Sequence, residues 1–374
     1  MVMGRRPEVK TASAPVAALA VTGLAAQLAT ALASVPFRRP LRGPARRLHN
    51  LGMAVTRTVL RSFIGYVTSL PIPEFRSVEI VIDGICRVAL PPFVRALGVA
   101  IRAAELGGVP ALVYEAAAGA GDAAILYLHG GGFIGTSPSM YATFVARLVR
   151  ETGCRIVVPD YRLAPEFPYP ASLVDALAVY EALLESGVGA APLFLAGDSG
   201  GGNLASSLVC ELRSRALPAP AGLILFSPET STACDEASIT ENADRDILPW
   251  NIPVRPYLHG VDPHDVRVSA VDADLAGFPP TFVASGGDEM FRDPIRRFVA
   301  RLADAGVDTT AIEEPAMFHV FPILMPWADA SARVYRALGR FVRARVPAEA
   351  LAPQRASATA AAQRSGASPG SGAS

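Results

Sequence analysis

The sequence predicts an α/β fold with a mostly parallel central sheet flanked by helices. From residue 107 onward, short apolar runs of strand length alternate with helical segments, as expected for strands that are buried on both faces. The chain has 374 residues, of which 51% are hydrophobic, so it can form one large core. The predicted strands are residues 110–115, 123–128, 155–159, 192–196, 222–226, 281–284 and 309–313, and helices are predicted at 139–150, 172–185, 204–215 and 295–305.

The first 40 residues form an apolar N-terminal segment. No residue in 11–37 is charged, Arg5, Arg6 and Lys10 precede the stretch, and the A-x-A pattern at 31–33 is typical of a signal cleavage site. An export signal, a membrane anchor and a helix packed on the domain or on a membrane surface all fit. Localisation in the cytoplasm, at the membrane or outside the cell therefore stays open. Because no catalytic motif lies in residues 1–37, we expect the protein without them to be soluble and active.

Residues 41–106 are predicted to be a helical region. Apolar residues recur near helical spacing in two groups, which Pro71 and Pro73 separate, and Pro91 and Pro92 interrupt the second group. The strand-and-helix pattern of residues 107–347 predicts the catalytic domain. The remaining residues, 348–374, are rich in Ala, Ser, Gly and Pro, which predicts a disordered tail.

The most specific local signal is the G-x-S-x-G pattern of residues 197–201. It follows an apolar strand and opens a helix, which is the strand–turn–helix context of a nucleophile elbow. Small residues are needed beside Ser199 because the turn is tight. The alternative is an ordinary glycine-rich turn, but the context favours Ser199 as a nucleophile.

A second glycine-rich segment follows the predicted strand 123–128. His129 is followed by Gly130, Gly131 and Gly132, and consecutive glycines allow backbone N–H groups to point into a cavity and stabilise an oxyanion. We predict that Gly131, Gly132 and Gly200 donate these hydrogen bonds. We interpret His129 as a residue that supports the loop.

These motifs together resemble the hormone-sensitive-lipase family of bacterial esterases. The third motif is residues 161–166, YRLAPE, with YPA at 169–171, and the three occur in the family's order over residues 107–345. The resemblance implies an α/β-hydrolase fold with an N-terminal helical cap, which fits residues 41–106. One departure is Gly200, where the family usually has alanine.

The resemblance also implies an acid and then a histidine after the nucleophile. His319 follows the last predicted strand, and we predict that it is the base. The family's acid segment, D-x-L-x-D, aligns its last position with Asp293 and its first with Glu289. We therefore predict that Glu289 orients His319, with Asp288, the commoner acid type, as the alternative.

We predict a serine carboxylesterase or lipase that acts through an acyl-enzyme on short- to medium-chain esters, without a metal or cofactor. Amide or lactone substrates would use the same residues. A binding protein that has lost catalysis is an alternative on this fold, but Ser199 and His319 argue against it. A third alternative, a membrane-attached structural protein, does not account for the three motifs. The formal net charge is +0 and the chain has no basic stripe, which argues against nucleic acid as a partner.

Overall fold

The computed structural model describes residues 9–41, 46–249 and 254–351. Its eight-stranded sheet has the order β1-β2-β4-β3-β5-β6-β7-β8. The first two pairings, β1 with β2 and β2 with β4, are antiparallel, and the other pairs are parallel. The strands are β1 (Val99–Leu106), β2 (Val109–Ala116), β3 (Ala124–Leu128), β4 (Arg155–Pro159), β5 (Leu193–Asp198), β6 (Gly222–Phe226), β7 (Thr281–Gly286) and β8 (Thr309–Glu314).

Helices cover both faces of this sheet, which confirms the predicted mostly parallel, doubly covered α/β architecture. Strand β3 is apolar throughout because both of its faces are buried. Leu126 and Leu128 belong to the core on one face, whereas Ile125 and Tyr127 belong to the core on the other.

The longer helices that follow the start of the sheet are α5 (Ala142–Thr152), α6 (Ala171–Glu185), α7 (Ser199–Ser214), α10 (Arg292–Asp304) and α12 (Asp329–Arg343). The short ones are α8 (Ala237–Glu241), α9 (Arg255–Leu258), α11 (Phe321–Leu324) and α13 (Ala348–Leu351).

In the described part of the chain, four α-helices precede the sheet: α1 (Ala14–Ser34), α2 (Arg47–Ser69), α3 (Ile72–Ala89) and α4 (Pro91–Ala96). Helices α2 and α3 coincide with the two predicted groups of apolar residues, and Pro71 lies between them. The helical part of the chain nevertheless ends at Ala96, earlier than the predicted boundary at 106. Residues 99–106 form β1 instead, because they pair along their whole length with β2. This edge strand is half exposed and alanine-rich, so its own sequence carries little strand pattern.

Helix α1 packs on the other N-terminal helices along part of its surface. Ala20 and Leu24 are buried against Val67 of α2 and Val78 of α3, and the Tyr66 hydroxyl donates to the Ala20 carbonyl at 2.9 Å. Within the described residues, the stretch Ala14–Arg38 is also long and apolar enough to cross a membrane, and 17% of its most apolar window is buried.

The C-terminal end of the described chain departs from the predicted disordered tail of residues 348–374. Helix α13 occupies the start of the predicted tail, and the Ala350 carbonyl accepts a hydrogen bond from the Ala123 N–H at 2.9 Å. The rest of the predicted tail, from residue 352, lies outside the described residues, as do Arg5 and Arg6 of the N-terminal pattern.

A buried arginine joins the helical cap to the part of the chain that contains the sheet. Arg76 of α3 donates to the carboxylates of Glu79 and Glu166, at 2.9 and 2.6 Å, and to the carbonyls of Ile134 and Ala164. Glu166 belongs to the YRLAPE motif, and Ile134 to the loop that follows the glycine run. The cap is therefore tied directly to both of these loops.

Candidate active site

Ser199 lies at the junction of β5 and α7, where the chain turns sharply. Its φ of 51° is in the left-handed region, which is uncommon for a residue other than glycine. A Cβ on Gly197 would lie 2.3 Å from the Gly201 carbonyl oxygen, so the turn requires glycine there. Ser199 is 8% exposed and lines a cavity that is partly open to solvent.

Asp198, the residue before the serine, supports the glycine-rich loop. Its carboxylate accepts hydrogen bonds from the Tyr127 hydroxyl at 2.6 Å, the Gly130 N–H at 2.8 Å and the Tyr141 hydroxyl at 3.0 Å. Burial raises the pKa of Asp198 to about 6, while these hydrogen bonds act in the opposite direction. The elbow and the loop after β3 are thereby held together.

The glycine-rich loop adopts conformations that suit glycine. Gly131 and Gly132 have φ values of 119° and 60°, and both line the same cavity as Ser199. Gly200 is not among the residues that line the cavity. It is the second residue of α7, where backbone N–H groups have no partner within the helix. His129 is fully buried and stacks on Tyr161 with ring centroids 4.4 Å apart, in keeping with a supporting role.

His319 lies in the loop between β8 and α11 and also lines the cavity. It is 2% exposed, and burial lowers its pKa from the ordinary value because the charged imidazolium is poorly solvated there. Its Nδ1 lies 3.2 Å from Oε2 of Glu289. The next residue, Val320, donates its N–H to the Ser227 hydroxyl at 2.9 Å, which holds the loop in place.

The two candidate acids lie in different environments. Glu289 is fully buried, and its Oε1 accepts the Gly286 N–H at 3.0 Å while Oε2 contacts His319. Burial raises the pKa of Glu289 to about 8, and hydrogen bonds from Ser227 and Gly286 oppose that shift. The side chain of Asp288 is 22% exposed and lies 3.6 Å from the Arg57 guanidinium. The structure thus places Glu289, and not Asp288, against the histidine.

Asp246 is a supporting residue that no sequence motif indicated. It is fully buried, and its carboxylate accepts the backbone N–H groups of Met290, at 2.7 Å, and His319, at 2.9 Å. One side chain therefore holds both the acid segment and the histidine loop. The sequence around it carries no recognisable pattern, because its partners are 44 and 73 residues away along the chain.

The cavity has a volume of about 270 Å³ and is largely apolar. Cap helices α2 and α3 supply much of its wall, including Phe63, Ile64, Val67, Phe75, Val78 and Ile82. A few polar residues also line it, among them Ser199, His319 and Glu229. Within the described part of the chain, no group of three or more His, Cys, Asp or Glu side chains is arranged to bind a metal ion.

The chain is similar in sequence to known proteins of one fold family. A family model for the α/β-hydrolase fold matches residues 125–323. An acetyl-hydrolase of Streptomyces hygroscopicus is 35% identical over 223 residues, which are 59% of this chain and 75% of that protein. An esterase of Acinetobacter venetianus is 32% identical over 252 residues, 66% of this chain and 82% of its own.

Solved structures show the same likeness. The crystal structure of an esterase from the bacterial hormone-sensitive-lipase family superposes with a TM-score of 0.71 at 28% identity, covering 79% of this chain and 98% of that one. A hormone-sensitive lipase from a metagenome library superposes with a TM-score of 0.68 at 31% identity, covering 77% and 99%.

Proposed function

Because the chain belongs to the α/β-hydrolase family and is a carboxylesterase of the bacterial hormone-sensitive-lipase type, we propose that it cleaves short- to medium-chain esters through an acyl-enzyme on Ser199. The observation that carries the proposal is the 3.2 Å contact between Glu289 and His319 at a cavity that Ser199 also lines. A serine, a histidine and a carboxylate in this relation are the components of nucleophilic acyl transfer.

In the proposed reaction, His319 takes the proton of the Ser199 hydroxyl as the serine oxygen attacks the ester carbonyl. The carbonyl oxygen becomes negatively charged, and the backbone N–H groups of Gly131, Gly132 and Gly200 stabilise it. His319 then gives its proton to the leaving alcohol, which departs and leaves the acyl group on Ser199. Water repeats the sequence, with His319 again as base and then acid, and releases the carboxylic acid.

The cavity supports the proposed chain length. Pockets that bind drug-sized ligands have volumes of about 300–1,000 Å³, so this cavity of about 270 Å³ lies just below that range. Its apolar walls favour an alkyl chain over a charged group. We therefore expect a p-nitrophenyl ester series to give its highest kcat/KM at short to medium acyl lengths.

The proposal is tested with Ser199→Ala, assayed on p-nitrophenyl butanoate and with a fluorophosphonate probe. Hydrolysis should fall at least a hundredfold and probe labelling should disappear, because the nucleophile is removed with little change in volume. Ser206→Ala is the matched control: this serine lies on the same helix, its hydroxyl bonds to the Gly202 carbonyl, and it does not line the cavity. A Ser199→Ala protein that keeps more than about a hundredth of the rate would contradict the assignment.

A further inference from the structure

Glu229 is a buried carboxyl group beside the nucleophile that the proposed reaction does not use. It follows β6, is 1% exposed and lines the cavity together with Ser199. Its Oε1 is buried and has no hydrogen-bond partner among the described residues. An unpaired buried polar atom destabilises a folded protein, so such a group in a cavity wall calls for an explanation.

The backbone of Glu229 is held firmly next to the nucleophile elbow. Its N–H donates to the Ser199 carbonyl at 3.0 Å, and its carbonyl accepts from the Asn203 side-chain amide at 2.7 Å. Asn203 also donates to the Val268 carbonyl at 2.7 Å, so it is fixed from two sides. The backbone of Glu229 therefore has a defined position relative to Ser199, and its side chain starts from a fixed point in the cavity wall.

We propose that Glu229 is a specificity-determining residue, which selects ester substrates carrying a hydroxyl group on the part of the molecule that occupies the cavity. The inference rests on the proposed esterase function and names a substrate class for the same site. A hydroxyl bound in the cavity supplies the hydrogen-bond partner that Oε1 lacks, whereas an alkyl chain leaves it unpaired.

The chemistry of the cavity favours a neutral hydroxyl over a cationic group. Burial raises the pKa of Glu229 to about 8, so at neutral pH its carboxyl group is mostly uncharged and both donates and accepts hydrogen bonds. A hydroxyl matches both roles. An ammonium group would have to lose its hydration in a largely apolar cavity, and the resulting ion pair would have to offset that cost.

Two matched pairs of esters test the proposal with the full-length protein. The first pair is p-nitrophenyl butanoate and p-nitrophenyl 3-hydroxybutanoate, and the second is ethyl butanoate and 2-hydroxyethyl butanoate. For each pair we define the hydroxyl ratio as kcat/KM for the hydroxylated ester divided by kcat/KM for the plain one. The pairs place the hydroxyl on the acyl side or on the alcohol side of the scissile bond.

In at least one pair, Glu229→Leu should lower the hydroxyl ratio about tenfold to a hundredfold, because the polar partner is lost. Glu229→Gln, which keeps a donor and an acceptor, should stay within about threefold of the wild type. Thr230→Val is the matched control: its hydroxyl is equally buried and also lacks a described partner, but Thr230 does not line the cavity. This control should leave the ratio unchanged.

Glu229→Met, with an unbranched side chain, serves if the leucine variant does not fold. A folded apolar variant whose hydroxyl ratio stays within about threefold of the wild type in both pairs would overturn the proposal and leave buried water as the partner of Oε1. That result differs from failure of the proposed function. In the latter case Ser199→Ala would keep hydrolysing both members of each pair, whatever residue occupies position 229.

Discussion

Replacing Glu289 with glutamine tests the assignment of the acid most directly, because the change removes a charge and leaves the shape. Oε1 of Glu289 accepts the Gly286 N–H at 3.0 Å, so the glutamine oxygen would occupy that position. The amide nitrogen would then lie about where Oε2 lies, 3.2 Å from Nδ1 of His319. An amide NH₂ only donates, so Nδ1 would have to accept and the ring proton would move to Nε2.

That tautomer cannot take the proton from Ser199. We therefore expect kcat of Glu289→Gln to fall by about 10⁴, equivalent to ~5 kcal/mol of lost transition-state stabilisation. Asp288→Asn is the matched control. The Asp288 carboxylate lies 3.6 Å from the Arg57 guanidinium, whereas Glu289 contacts His319, so removing the charge of Asp288 leaves the tautomer of His319 unchanged. Its rate should stay within about fivefold of the wild type.

Both variants and the wild type are compared on p-nitrophenyl butanoate at pH 8.5, with kcat and KM measured separately. Thermal unfolding of each protein shows whether a loss of rate reflects a loss of fold. The reasoning is refuted if Glu289→Gln keeps more than about a tenth of the wild-type kcat, and the reverse ranking of the two variants would assign the acid role to Asp288.

Three further predictions follow from the same contacts. The carboxyl group of Glu289 must be ionised to hold the proton on Nδ1 of His319, and burial raises its pKa to about 8. The value of kcat/KM should therefore increase with pH through about 8. A pH profile of kcat/KM that is already flat from about pH 6 would contradict this. Asp246→Ala leaves the N–H groups of Met290 and His319 without their acceptor, so Tm and kcat should both fall, and an unchanged Tm would refute the supporting role. Deleting residues 1–37 uncovers Val67 and Val78, which also line the cavity, so the shortened protein should stay soluble and active but have a lower Tm and a higher KM for p-nitrophenyl butanoate. An unchanged Tm and KM would show that the segment does not support the cavity wall.

Strands β3 to β7, in the parallel part of the sheet, could be predicted because burial on both faces makes them mostly apolar. All seven predicted strands have a counterpart in the structure, with bounds that differ by two residues or fewer. The sequence pattern does not predict strand β1, for the opposite reason. This strand is half exposed at the sheet edge, and only its pairing with β2 makes it a strand. The intrinsic preference of such a segment is too weak to decide its conformation.

The sequence also located the segments around Ser199, Gly131 and His319, because tight turns and strand ends impose local patterns that can be read along the chain. It could not decide between Glu289 and Asp288 without an alignment to a family motif. The local sequence does not show which of two neighbouring carboxylates will be buried, and the structure buries one beside His319 and leaves the other near Arg57. Asp246 and Glu229 depended wholly on the tertiary structure. Their surroundings come from segments far apart in the chain, which only folding brings together.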